Sequence, residues 1–298
     1  MNEKIEYKVL ARKYRPQTFA DLIGQETLVQ ILTNAIITNR IANAYLLTGV
    51  RGVGKTTTAR LIAMSLNCEN KKDDSCEPCG TCDSCKSIRS DHNLDVIEMD
   101  AASKTGVDDV REIIDNVKYK PVNCKFKIFI IDEVHMLSKS AFNALLKTLE
   151  EPPEHVKFIF ATTEVKKIPV TILSRCQRFD LKRVESRDLI EHLKKISQLE
   201  KVKIDEDAVS LLVRVGDGSV RDSLSLLDQA IINTDTKVSA ETVARMLGLA
   251  DRGKIYDLLG HIAKGQASES LDLFRNLYNS GADILMIFEE LLNVIHSI

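Results

Sequence analysis

"LLTGVRGVGKTTTAR", residues 46–60, is the stretch on which the reading of the whole chain turns. Within it, Gly49-Val50-Arg51-Gly52-Val53-Gly54-Lys55-Thr56 fits G-x-x-x-x-G-K-[ST], a phosphate-binding loop, and Thr57 carries it into a helix. Glycines let the backbone fold tightly and aim its N–H groups inward, forming a nest for an anion. The helix that follows adds unpaired N-terminal donors and the positive end of its dipole. Lys55 is placed to reach the β- and γ-phosphates, and the Thr56 hydroxyl to ligate Mg²⁺. A Gly-rich turn between strand and helix is the competing interpretation, but the full motif in strand–loop–helix context favours a nucleotide. The loop does not say what the nucleotide is used for.

The 298 residues suffice for two or three domains. With 41 basic and 43 acidic side chains the net charge is −2, so any contact with DNA has to come from a local basic patch. No apolar run approaches the roughly 18 residues of a membrane span. The N-terminal "MNEKIEYKVLARKYRPQTF" is charged and lacks a signal-peptide core, so a cytoplasmic protein is expected, with no membrane partner.

Of seven cysteines, five lie between residues 68 and 85. Cys76, Cys79, Cys82 and Cys85 follow one another at intervals of three, with Cys68 upstream. In a reducing compartment such clustering favours metal over disulfides. Thiolates at C-x₂-C spacing can turn onto one tetrahedral Zn²⁺, and four protein ligands make a structural site with no open position. Five candidates compete for four places, so one is spare. Cys124 and Cys176 read as unpaired thiols.

Around the loop, strands and helices alternate. Residues 44–49, 94–100, 125–135 and 156–163 read as strands, with a further strand at 177–181. Helical periodicity covers 56–67, 107–117 and 138–151, the last opened by a Ser138 cap and stopped by Pro152-Pro153. That alternation predicts an α/β fold: a parallel sheet covered on both faces, with ligands at the carboxyl ends of its strands. The character changes near residue 183. From there to about Leu247 only amphipathic helices are expected and no strand. A further helical piece begins near Leu249 and ends in "ILMIFEELLNVIHSI" without a helix stop, as the start of a larger helical domain would.

Hydrolysis requires a second acidic element. Asp132 and Glu133, after the apolar strand "KFKIFII", are expected to hold the Mg²⁺ shell and to orient the attacking water. Thr162-Thr163 ends the next strand, and position favours Thr163 as the hydroxyl that senses the γ-phosphate. Arg175 in "SRCQRF" and Arg221 in "GSVRDSLS" are candidate phosphate-contacting arginines.

Taken together, "ARKYRPQTFADLIGQE", the phosphate loop, "PCGTCDSC", "IFIIDEVHMLSKSAFNALLKTLEEPPEHVKFIFATTE", "PVTILSRCQRF" and "GSVRDSLSLLDQAI" make the chain resemble the gamma/tau ATPase family of the bacterial DNA polymerase III clamp loader, which are AAA+ proteins. The likeness runs from about residue 7 to 248. It implies an AAA+ P-loop NTPase domain over 1–182 with an inserted zinc module at about 68–85, an all-α lid domain over 183–248, and the start of a helical collar over 249–298. By the same resemblance the zinc ligands fall on Cys68, Cys79, Cys82 and Cys85, leaving Cys76 as the extra. Thr163 becomes the sensor threonine, Arg175 an arginine serving a neighbouring subunit, and Arg221 the second-domain sensor. The segment from Arg12 to Pro16 is implied to pack beside adenine, and Ser103, Lys104 and Thr105 to touch DNA phosphates, although Gly106 stands where some relatives carry a basic residue. The implied activity is that of an ATP-driven motor in a hetero-pentamer with other clamp-loader subunits. It loads a sliding clamp onto primer–template DNA, using ATP, Mg²⁺ and Zn²⁺. The polymerase chemistry belongs to the holoenzyme, since no residue here suggests nucleotidyl transfer. The alternatives are another AAA+ DNA-processing ATPase, of branch-migration or initiator type, and a non-hydrolysing stator subunit.

Overall fold

The structure is a computed structural model describing residues 7–72, 75–234, 237–248, 252–279, 281 and 283–297. Two compact units emerge. One comprises the chain up to Asp188 together with Gly218–Asp222, and the other comprises Leu189–Asp217 and the chain from Ser223 onward.

In the first unit the elements run α1 (Leu10–Lys13), α2 (Glu26–Ile37), β1 (Ala44–Thr48), α3 (Lys55–Asn67), α4 (Asp83–Arg89), β2 (Val96–Asp100), α5 (Val107–Val117), β3 (Lys127–Asp132), α6 (Lys139–Glu150), β4 (Val156–Thr162), α7 (Val170–Leu173) and β5 (Gln177–Asp180). The strands form one parallel sheet in the order β2-β3-β4-β1-β5. β1, β3 and β4 are central and buried almost throughout, which is why their sequences read as unbroken apolar runs rather than alternating ones. Successive side chains still point to opposite faces. Tyr45, Leu47, Ile128, Ile130 and Ile159 join a cluster with Leu32 of α2 and Ile62 of α3. Leu46, Phe129, Ile131, Phe158 and Phe160 join the other cluster, with Val110 of α5 and Leu145 of α6.

The register brings the strand ends level: Thr48 lies opposite Thr162 and Asp180, and Asp100 opposite Asp132. The expected Ser138 cap is formed, its Oγ accepting from Ala141 N at 3.2 Å. The cysteine-rich stretch is an insertion between α3 and β2 that contributes α4.

The second unit is helical, formed by α8 (Ser186–Leu199), α9 (Glu206–Gly216), α10 (Val220–Ile232), α11 (Ala240–Met246), α12 (Arg252–Ala263), α13 (Ala267–Asn279) and α14 (Ile284–Ser297), except that the first residues of α8, to Asp188, and of α10, to Asp222, lie in the first unit. The expectation of no strand in this region needs correction. β6 (Lys203–Ile204) and β7 (Lys237–Val238) form a two-residue parallel pair. Two residues are too few to show a period of two, and the pairing arises only because the helices bring the loops before α9 and α11 together. Ile255, Leu258, Leu277, Ile287, Leu291 and Val294 form a separate cluster among α12, α13 and α14. No helix among the described residues is long and apolar enough to cross a membrane.

One buried carboxylate fixes the chain entering the sheet. Asp95, 1% exposed, accepts hydrogen bonds from Val122 N, Asn123 N and Cys124 N at 2.7, 2.7 and 2.9 Å. Burial alone would raise its pKa; the three N–H donors outweigh this and hold it below the ordinary carboxylate value. A depressed pKa contributes stability above the unfolded value, near 4, and that contribution is lost as pH falls through the folded value. Asp95→Asn is therefore expected to cost about 1–3 kcal/mol near neutral pH, with the difference from the parent shrinking as pH drops below about 4. Urea unfolding followed by circular dichroism across that range checks it; a difference independent of pH would count against this role.

Candidate nucleotide-binding site and cysteine cluster

The phosphate loop leaves the carboxyl end of β1 and enters α3. Gly54 begins that helix at φ +101°, a conformation that side-chain-bearing residues rarely adopt. Gly52 is required for a second reason: a Cβ there would come within 1.9 Å of Ser219 Oγ and 3.3 Å of Arg221 Cβ. Gly49, Val50, Arg51 and Val53 complete the turn, with Val53 buried and Arg51 exposed.

Lys55 is 6% exposed, and its Nζ donates to Gly49 O at 3.0 Å and Val50 O at 2.9 Å. Burial pushes this ammonium down from its usual pKa, opposed by the charges of Glu133 and Asp132. Thr56 Oγ1 donates to Asp132 Oδ2 at 2.6 Å, so the two expected Mg²⁺ ligands face each other across the ends of α3 and β3. Thr57 follows in the first turn of α3.

Glu133 adopts a left-handed backbone conformation, φ +45°, where β3 breaks into a single 3-10 turn, Val134–Met136. Its Oε2 accepts from Thr163 N at 3.1 Å and from Thr163 Oγ1 at 3.0 Å. Asp132, Glu133 and Thr163, separated in sequence by a whole helix, are thus joined by neighbouring β3 and β4. The same cluster holds a residue that the sequence reading passed over. His135 has a side chain only 6% exposed; its Nδ1 lies 3.1 Å from Thr162 Oγ1 and 3.3 Å from Glu133 Oε2, and its Nε2 is 3.4 Å from Glu164 Oε1. Its signal was present in "IIDEVH", one turn beyond the acidic pair.

Arg221 N donates to Gly52 O at 3.2 Å, which sets the start of α10 against the loop. Arg15 lies in the same neighbourhood. Burial and the nearby charges of Arg60 and Arg221 lower its pKa, against the opposing pull of Glu98 and Asp91. Arg15 is a second residue not singled out from the sequence, although it lies inside the Arg12–Pro16 segment. Arg12 itself is exposed on α1, and Pro16 is half-buried. Arg60 of α3 makes a bidentate pair with Glu98 of β2, at 2.7 and 2.9 Å, and also bonds Asp91.

Arg175 is not brought into this cluster. It pairs with Glu150 of α6 at 2.5 Å and donates to Thr171 O and Ser174 Oγ. Ser103, Lys104 and Thr105 are exposed in the turn between β2 and α5. That turn is tied to the acidic strand end, with Ala101 N donating to Asp132 O at 2.9 Å and Ser138 N to Thr105 O at 3.3 Å.

On the cysteine insertion, the Sγ atoms of Cys68, Cys79, Cys82 and Cys85 all lie within 4.8 Å of one another. Four sulfurs about 2.3 Å from a central ion would be separated by comparable distances, so the set fits tetrahedral zinc. Backbone N–H groups point at the sulfurs as they would at thiolates: Cys79 N to Cys68 Sγ and Cys82 N to Cys79 Sγ at 3.3 Å, and Cys85 N to Cys82 Sγ at 3.4 Å. Hydrogen bonds from the Thr81 side chain, Thr81 N and Cys82 N bring the Cys79 thiol down to about 6. Cys76 is turned away, its Sγ 2.9 Å from Thr33 Oγ1.

Comparison with known proteins bears on the family of the chain. Family models for "DNA polymerase III, delta subunit", "DNA polymerase III clamp loader subunit, ATPase lid domain" and "DNA polymerase III subunits gamma and tau domain III" match residues 24–185, 188–236 and 238–298. DNA polymerase III subunit tau of Escherichia coli is 46% identical over 99% of this chain and 45% of its own length. Subunit tau/gamma of Haemophilus influenzae is also 46% identical, with 42% of its length covered. Subunit gamma of Buchnera aphidicola subsp. Acyrthosiphon pisum is 43% identical, over 99% of this chain and 81% of the relative. The chain therefore spans less than half the length of the first two relatives. Among solved structures, the RuvB Holliday junction branch migration motor of Thermotoga maritima superposes with a TM-score of 0.56 at 18% identity, covering 85% of this chain and 80% of that one. That likeness shows a shared fold and nothing narrower. With 81% of the length of a gamma subunit aligned at 43% identity and three family models in order, the chain belongs to the gamma/tau family of DNA polymerase III clamp-loader subunits.

Proposed function

We propose that this chain is an ATP-hydrolysing motor subunit of the bacterial replicative clamp loader. The observation that carries the reading is the junction of Lys55, Thr56, Asp132, Glu133 and Thr163 at one edge of the sheet. A stator subunit has no need of it. The loop N–H groups and Lys55 bind the triphosphate, and Arg221, placed against Gly52, contacts the γ-phosphate. Thr56 and Asp132 would hold Mg²⁺, which neutralises charge developing between the β- and γ-phosphates. Glu133 orients the attacking water, and its bonds to Thr163 set its direction. The segment from Arg12 to Pro16 covers the adenine, and Cys68, Cys79, Cys82 and Cys85 hold a structural zinc ion.

In the assembled loader, a hetero-pentamer with other clamp-loader subunits, Arg175 serves the ATP of a neighbour. Its position away from its own loop, on a Glu150 pair that a partner's phosphate could replace, supports this. The exposed Ser103, Lys104 and Thr105 turn contacts primer–template DNA phosphates, and its backbone link to Asp132 gives DNA a route to the hydrolytic residues. Hydrolysis then releases the sliding clamp onto DNA for the polymerase, a cytoplasmic task in which this chain supplies no nucleotidyl transfer of its own. The domain division assigned is 1–182, a lid at 183–248 and a collar beginning at 249; the lid family model covers residues 188–236, within the assigned lid, whereas the domain III model begins at residue 238, ahead of the assigned collar. A branch-migration or initiator ATPase shares the fold but is disfavoured by the four-thiol cluster.

Lys55→Ala is expected to abolish tight ATP binding, because it removes the cation of the phosphate nest, whereas Glu133→Gln is expected to bind ATP and fail to hydrolyse it. Isothermal titration and single-turnover hydrolysis separate the two; unchanged affinity in Lys55→Ala would sink the assignment of the loop.

Zinc is expected at one equivalent per chain. Cys82→Ser should lose it and lower the melting temperature, since metal binding and folding are coupled, while Cys76→Ser should keep it. Metal content by atomic emission decides; zinc loss from Cys76→Ser would mean that the wrong four ligands are assigned.

Arg175→Ala is expected to cost on the order of 10³-fold in hydrolysis by the loader assembled with clamp and primed DNA. Mixed loaders containing Arg175→Ala and Lys55→Ala subunits should recover activity at junctions that pair an intact loop with an intact arginine. If mixed assemblies form and recover nothing, Arg175 does not act in trans.

A further inference from the structure

Glu77 lies between the spare Cys76 and the first clustered ligand of the C-x₂-C run, and the function above gives it no role. Its carboxylate reaches across to the N-terminal segment: Oε2 accepts from Phe19 N at 2.8 Å and Oε1 from Ala20 N at 2.9 Å. The two preceding N–H groups, Gln17 and Thr18, donate to Asp21 Oδ2 at 3.3 and 3.1 Å. Four consecutive donors of one turn thus meet two carboxylates, one local and one brought in from the cysteine insertion. Hydrogen bonds to an ionised acceptor are roughly twice as strong as neutral ones, and a two-pronged pair also fixes direction.

Both ends of this link are anchored. On the insertion side, Glu77 N donates to Ser75 Oγ at 3.0 Å, the Cys76 carbonyl accepts from Ser65 Oγ of α3, and Cys76 Sγ meets Thr33 Oγ1 of α2. Two residues further on, Cys79 enters the four-thiol cluster. On the other side, Phe19 is 1% exposed and shares one buried cluster with Val53 of the phosphate loop and with Cys76, Cys82 and Cys85. The turn directly continues the Arg12–Pro16 segment, whose Arg15 is within electrostatic reach of Arg60 of α3 and of Arg221, the latter bonded through its N–H to Gly52 O of the loop.

We propose that Glu77 is a positioning residue for the base-side wall of the nucleotide site, and that zinc in the four-thiol cluster regulates nucleotide affinity through it. The inference rests on the reading of the loop as an ATP site, of the Arg12–Pro16 segment as its adenine side and of the cluster as a zinc site. Its physical content is that the metal fixes the insertion, the insertion fixes the Glu77 carboxylate, and the carboxylate fixes the turn that the adenine-side segment runs into. The triphosphate is held separately, by α3 and the loop.

The test compares MgATP with magnesium tripolyphosphate, which has the phosphates and no base, by isothermal titration on the zinc-loaded protein. Glu77→Ala is expected to weaken ATP about tenfold and leave tripolyphosphate unchanged. Glu77→Gln, which keeps one carbonyl acceptor, should fall between parent and alanine variant. Removing zinc from the parent with a zinc-selective chelator should reproduce the loss, and removing it from Glu77→Ala should add nothing, because both act on one link. Amide exchange at Phe19 and Ala20 should accelerate in both cases. Equal ATP affinity in parent and Glu77→Ala overturns the proposal, as does an equal loss for both ligands or an additive effect of chelation. A parent protein that binds tripolyphosphate but not ATP, or neither, overturns the ATP-site reading itself, so the two failures are distinguishable.

Discussion

Parallel strands cannot be joined by tight turns; each needs a crossover that returns the chain to the same starting edge. With all five strands of the sheet parallel, the carboxyl ends of β1, β3 and β4 are forced to the same edge. The loop after β1, the acidic pair after β3 and the threonine after β4 become neighbours for that reason alone. The apolar cores on the two faces hold those ends level, and the 2.6 Å bond from Thr56 to Asp132 reports how closely the register has aligned them.

Around this edge, polar side chains tie distant segments to the sheet. Gln25, 4% exposed, donates from Nε2 to Lys182 O and accepts from Lys182 N, so the chain before α2 is fastened to the exit of β5. Arg60 pins α3 to β2 through Glu98. Buried or half-buried, these groups are paired, as desolvation demands. They connect the segments on which nucleotide and DNA are proposed to act: the N-terminal segment, the phosphate-loop helix, and the strand that leads to Ser103, Lys104 and Thr105.

The cysteine insertion belongs to the same scheme. A surface excursion between α3 and β2 has little apolar material of its own, and four converging thiols give it an organising centre. Cys76, Cys82 and Cys85 also contribute to the core beneath α3, so the insertion is integrated with the sheet rather than appended to it.

The sequence by itself determined the elements whose signals are local. The glycine pattern at residues 49–54, the apolar run within 125–135 and the helix over 107–117 each carry their own periodicity or turn chemistry; the structure has all three, with the strand shortened to Lys127–Asp132 because the chain turns at Glu133. The family likeness, too, was legible in short motifs. Spacing treats Cys76 as equal to the rest and only the family likeness marked it as the extra one; the physical ground, the approach of Thr33 from α2, was supplied by the tertiary structure. Tertiary structure alone formed the β6–β7 pair, joined Glu133 to Thr163, placed His135 against both strand ends, and carried Glu77 to Phe19 and Ala20. Each of these depends on two segments far apart in the chain meeting with the right register. A hydrogen bond over such a separation leaves no periodic trace in either segment, because its partners are chosen by packing and not by their neighbours along the chain.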